Sequence, residues 1–167
     1  MKRMVLSILV DNTAGVLSRV AGLFSRRGYN IDSLTVGETQ DPAISRMTVL
    51  ANGDDQILEQ IRKQVAKLED VIEIMELTSG ESVTRELILV KVGATEIDRQ
   101  AIISIADIFR AKIVDVARES LMIELTGNTD KVNAFIKLLE QYTIKELVRT
   151  GITGLSRGSS DIAEFDD

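Results

Sequence analysis

Two consecutive antiparallel sheets, each of four strands with two helices on one face, are the architecture predicted by this 167-residue sequence. Three observations lead there. Strand-like and helix-like stretches follow one another in the order β-α-β-β-α-β over residues 1–78. The same order returns over residues 86–158, as a repeat of pattern with little residue identity. Between them lies the polar stretch TSGESVTR. This is the split βαβ, ferredoxin-like pattern, an α/β (α+β) fold. The expected boundaries are a first domain at 1–78, a linker at 79–85, a second domain at 86–158 and a disordered acidic tail at 159–167.

Each element has its own justification. Met4–Val10 is a near-continuous apolar strand broken only by Ser7, the pattern of a strand covered on both faces. After Asp11–Gly15, the residues Val16, Leu17, Val20, Leu23 and Phe24 recur on one helical face, and Arg26, Arg27 and Gly28 form a stop signal. Ile31–Val36 reads as a second strand and Ile44–Ala51, which alternates, as its hairpin partner. Asp54 is placed to cap a helix marked by Ile57, Leu58, Ile61, Val65 and Leu68, and Val71–Leu77 is a fourth strand. In the second half, Glu86–Val92 is a strand. Thr95 and Asp98 form a capping-box pair ahead of the stripe Ile97, Ala101, Ile102, Ile105, Ile108 and Phe109. Lys112–Ala117 and Leu121–Thr126 are strands, Thr129–Gln141 is a helix with Val132, Phe135, Ile136 and Leu139 inward, and Thr143–Arg149 is the last strand. The following GITGLSRG matches no phosphate loop, because it lacks the Walker lysine and no helix follows.

Composition narrows the chemistry. The chain is 44% hydrophobic but only 4% aromatic, so Ile, Leu and Val must supply the core. A net charge of −6 argues against non-specific nucleic-acid binding and against an anionic membrane as partner. No run approaches the length of a membrane span, and no N-terminal stretch has the length and flanks of a signal peptide. A cytoplasmic protein is expected. The sequence has neither Cys nor His. That removes thiol chemistry, zinc-thiolate sites, the commonest general base and the commonest transition-metal ligand. The serines and threonines have no histidine to activate them, and the carboxylates fall on helix faces, in turns and in the tail. No catalytic residue and no metal ligand is expected. An enzyme on a ferredoxin-like scaffold is the reading from another class, and turnover by the purified chain alone would reveal it.

The stretch from Leu6 to Val36 carries the functional expectation. The loop Asn12–Leu17 joins a strand to a helix N-terminus, where free backbone N–H groups favour a carboxylate. Two readings stand side by side. Asn12 or Thr13 caps the helix and Gly15 eases a tight turn, or the N–H groups near Gly15, Val16 and Leu17 hold an anion. Asn30 carries both a donor and an acceptor; it is either a turn residue or a ligand contact, reached from a neighbouring chain if two sheets meet at their edges. Val16, Leu17 and Ile31 would form an apolar wall for a small aliphatic side chain.

DNTAGVLSRVAGLFSRRGYNIDSLTV resembles the start of an ACT domain, a small-molecule-binding regulatory module of ferredoxin-like fold. The resemblance extends through GLFSRRGYNIDSLTVGETQDP, RELILVKV, IFRAKIVDV and TGITGLSRG to the regulatory small subunits of acetolactate synthase (acetohydroxyacid synthase), over nearly the whole chain. It implies a subunit with no catalysis and no cofactor of its own. Its partner would be a large catalytic subunit that uses thiamine diphosphate, FAD and magnesium to condense pyruvate with a second 2-keto acid. It also implies activation of that subunit and feedback inhibition in branched-chain amino-acid biosynthesis, usually by valine. A homodimer through the ACT domains is implied, with valine at the interface. By motif position the contacts would be Asn12, Ala14, Gly15, Val16 and Leu17 of one chain with Asn30 and Ile31 of the other. Ala14 stands where such loops often carry proline, and leaves one more N–H donor at the site. A stand-alone amino-acid-sensing ACT protein that regulates another enzyme is the alternative.

Overall fold

The computed structural model describes residues 1–159 and 162, which fall into two compact units. The first unit comprises residues 1–83 together with the described residues from Ile152 onward. It contains β1 (Lys2–Asp11), α1 (Val16–Arg26), β2 (Ile31–Glu38), β3 (Ile44–Gly53), α2 (Asp55–Ala66) and β4 (Val71–Glu76). The strands form an antiparallel sheet in the order β2-β3-β1-β4. β1 is central, as its continuous apolar run requires. Leu6, Ile8 and Val10 pack under Val20 and Phe24 of α1 and Leu58, Ile61 and Val65 of α2. On the opposite face Ser7 is also buried, and its hydroxyl accepts from Arg46 Nη1 at 2.6 Å.

The second unit spans Thr84–Gly151. β5 (Ser82–Gly93) enters it, followed by α3 (Glu96–Ile108), β6 (Lys112–Val116), β7 (Ser120–Gly127), α4 (Thr129–Leu139) and β8 (Ile144–Arg149). The strand order β6-β7-β5-β8 repeats the arrangement of the first unit. Ile88, Val90 and Val92 of β5 and Leu121, Ile123 and Leu125 of β7 pack under Ile102, Val132, Phe135 and Leu139. Phe109 meets Phe135 edge to face at 5.2 Å. At the base of the sheet Glu86, only 4% exposed, receives two hydrogen bonds from Arg149 (2.6 and 2.9 Å), whose own pKa is raised by the pairing.

The structure corrects the sequence expectation in two places. The expected linker at 79–85 is a turn over residues 79–81, and β5 begins at Ser82, so Val83 and Thr84 are strand rather than coil. Beyond Gly151 the chain does not remain with the second domain: residues 152–159 group with the first unit, and β9 (Thr153–Ser156) pairs with β5, which begins there at Ser82. On α3 the apolar stripe is wider than the core it faces. Ile102 and Ala106 are buried, whereas Ile97 and Ile108 are 90% and 78% exposed and Ala101 is exposed too. The expected disorder over 159–167 falls outside the described residues, apart from residues 159 and 162. Among the described residues no helix is long and apolar enough to cross a membrane.

Candidate effector site at the start of the first helix

The loop between β1 and α1 is built by backbone geometry. Gly15 adopts φ +87°, a left-handed conformation that other residues reach only with strain, and it ends the loop as the residue preceding α1. No side chain caps this helix. The three other helices are capped by Asp54, Thr95 and Asn128, each accepting from the backbone N–H three residues on. Asp54 and Thr95 are legible in the sequence as caps; Asn128, directly before the expected helix start at Thr129, is the cap that the structure adds. At α1, Val16 N reaches only Thr13 O at 3.5 Å. Among the described residues no acceptor meets the N–H groups of Leu17 and Ser18. The first turn thus presents oriented donors and the positive end of the helix dipole.

Asn12 is not the cap. Its side-chain amide donates to Pro42 O at 2.8 Å and Glu38 Oε1 at 3.3 Å, and its backbone N–H donates to Ala43 O at 2.8 Å. It braces the turn between β2 and β3 against the loop. Ala14 and Gly15 are exposed and Leu17 is about half-exposed, so their backbone is accessible. Val16 is 3% exposed and belongs to the core, so it cannot wall a ligand site with its side chain. Only Leu17 remains of the apolar wall on this side.

Asn30 and Ile31 lie elsewhere. They follow the C-terminal end of α1, an eleven-residue helix that rises about 16 Å. The register agrees: Ile31 pairs with Ala51 at one end of the sheet, while Asp11 and Glu38 pair with Ile44 and Ser45 at the other. Asn30 Nδ2 donates to Asp32 Oδ1, and Ile31 packs partly against the core. Within one chain the structure therefore groups Asn12, Ala14, Gly15, Val16 and Leu17 and keeps Asn30 and Ile31 apart from them.

Sequence reading missed one pair. Arg19 Nε and Nη2 hold both carboxylate oxygens of Asp70, at 2.5 and 3.0 Å. The hydrogen bond from Arg19 holds the Asp70 carboxyl below the usual carboxylate range. The Asp70 backbone carbonyl accepts from Asp11 N at 3.0 Å, tying β1 to the same corner. Arg19 Nη1 lies beside Gly15, where a Cβ would sit 2.9 Å from it. The loop is thus flanked by a paired cation, and it is the positive φ that disfavours a side chain at position 15. Nothing local marks this partnership, since Asp70 lies 51 residues from Arg19.

The sheet order and the loop-helix corner are those of an ACT domain. Residues 6–73 match the family model for the AHAS small subunit-like ACT domain, and residues 85–158 match that for the small subunit of acetolactate synthase. The chain is 53% identical over 156 residues to a probable acetolactate synthase small subunit of Methanothermobacter thermautotrophicus, covering 93% of each. It is 51% identical to the acetolactate synthase small subunit of Haemophilus influenzae, covering 96% of this chain and 99% of that one. The crystal structure of the acetolactate synthase small subunit from Thermotoga maritima is similar, with a TM-score of 0.87 at 43% identity over 96% of this chain and all of that one. The chain belongs to the acetolactate synthase small-subunit family.

Proposed function

We propose that this chain is the regulatory subunit of an acetolactate synthase. It binds and activates a large catalytic subunit, and it makes that subunit sensitive to valine. Thiamine diphosphate, FAD and magnesium belong to that partner, and this chain contributes no catalytic residue. Valine's carboxylate sits on the N–H groups at Gly15–Leu17, and Asn30 and Ile31 of a second copy complete the site. The observation that carries this reading is the open first turn of α1, with a left-handed Gly15 and no side-chain cap. The separation of Asn30 from that loop by the length of α1 supports a dimer, because one chain alone cannot bring the two together.

Valine binding between two copies favours one arrangement of the dimer. It changes catalysis to the extent that the large subunit binds the two arrangements with different affinity. The test is the Gly15→Asp variant. It places a like charge beside the bound carboxylate and adds a side chain at φ +87°. Valine inhibition of the assembled enzyme is expected to be lost while the variant still co-purifies with the large subunit. An enzyme that stays fully valine-sensitive with this variant places the site elsewhere. Calorimetric titration with valine, leucine and isoleucine then ranks the effectors.

A further inference from the structure

Ile152 is held by two polar side chains of β2. Its backbone N–H donates to Ser33 Oγ at 2.8 Å, and its carbonyl accepts from Thr35 Oγ1 at 3.3 Å. Ser33 and Thr35 are two apart on a strand and share one face, while Leu34 between them packs into the core from the other. Ile152 is 7% exposed and both bonds are partly buried, so lifting the segment would break the two together. Upstream on β2 the register slips between Ile31 and Ser33. Asp32 is the extra residue of that bulge, and its carboxylate accepts from Asn30 Nδ2. The candidate effector contact, the bulge and the two side chains that hold Ile152 therefore follow one another along residues 30–35.

From this arrangement we infer that residues 152–156 form a strap that reports effector occupancy through β2. The inference rests on Asn30 being an effector contact, as proposed above. An effector that engages the Asn30 amide competes with Asp32 for it. A bulge is where a strand changes its twist and re-aims its side chains, so loss of the Asn30–Asp32 bond turns Ser33 and Thr35. Because both bonds converge on one residue, they make and break together, which gives the strap a held and a released state. The strap follows directly from the second unit. Thr150 pairs with Leu87, donating from its backbone N–H at 3.0 Å and accepting at its hydroxyl at 3.1 Å. Gly151, at φ +90°, turns the chain out of that pairing. A change at Ser33 thus acts on a segment whose other end is anchored two residues away in the second unit.

Hydrogen exchange on the full chain with valine, read at the Ile152 amide, tests this. Saturating valine is expected to speed that exchange about fivefold or more, as the released state gains population. In Ser33→Ala the Ile152 N–H loses its acceptor, so its exchange is expected to be fast already and to stop responding to valine, with calorimetric valine binding retained. Bound valine that leaves Ile152 exchange unchanged or slower in the parent chain overturns the strap and leaves the effector site standing. A Ser33→Ala chain with the parental response overturns it as well. If calorimetry detects no valine binding to the parent chain, the site reading fails and the strap falls with it.

Discussion

Gly15, Arg19 and Asp70 show how much at one corner depends on single residues. Gly15 was legible in the sequence as a turn residue, and its positive φ bears that out. The bidentate ion pair beside it was not legible, because nothing in local spacing joins residues 51 apart. The pair has a pH signature. The folded-state pKa of Asp70 is depressed below its unfolded value, which is about 3.9. Its contribution to stability is therefore fully present above that unfolded value and is lost as pH falls through the folded one. Asp70→Asn removes the contribution at every pH. Denaturant midpoints of the parent and Asp70→Asn are expected to differ at neutral pH and to converge in acid. A gap that persists at low pH would show that the carboxylate charge is not what Asp70 contributes.

Helices and strands were legible where the pattern is local. Asp54 and Thr95 cap where the sequence puts them, with Asp98 N bonded to Thr95 Oγ1 at 3.2 Å; of the expected box the Asp98 carboxylate accepts instead from the Thr95 hydroxyl, at 3.1 Å. Asn128, which accepts from Lys131 N at 2.9 Å, belongs to the same class. Asn128→Ala is expected to lower unfolding free energy by about 1 kcal/mol, measured by denaturant titration. Thr13→Ala at the start of α1 is expected to cost much less, since α1 uses no side-chain cap. The gaps at this scale share one cause. The α3 stripe is legible as a stripe, but periodicity gives the width of an apolar arc and not how much of it a sheet covers. β9 is not legible in the sequence: its four residues, Thr-Gly-Leu-Ser, have little strand character, and pairing with β5 decides their conformation.

At the scale of the whole molecule, the proposed site is a property of two chains. That makes a complementation experiment decisive. Gly15→Asp spoils the loop and Asn30→Ala spoils the partner's contribution, so neither variant alone should bind valine. When the two are mixed and allowed to exchange subunits, half of the dimers pair one variant with the other. Each mixed dimer regains one intact site of two. Calorimetry should then recover about a quarter of the parental valine stoichiometry, as an isologous two-fold interface requires. A mixture as silent as its components would mean that each chain builds its site alone. Such a result would contradict the placement of Asn30 at the far end of α1.

The sequence by itself determined the two βαββαβ repeats, the four helix starts in outline, the glycine turn before α1 and the family. Each of these is written in neighbouring residues: an apolar period, a capping side chain, a motif. Only the tertiary structure decided that the linker is a short turn running into a strand and that the chain returns to its first unit at Ile152. It also decided that Val16 is core, that Arg19 meets Asp70, and that Asn30 stands a helix length away from the loop of its own chain. These depend on which distant segments share a surface. Ser33 and Ile152, 119 residues apart, are brought together by the packing of a sheet and not by any local preference of either residue.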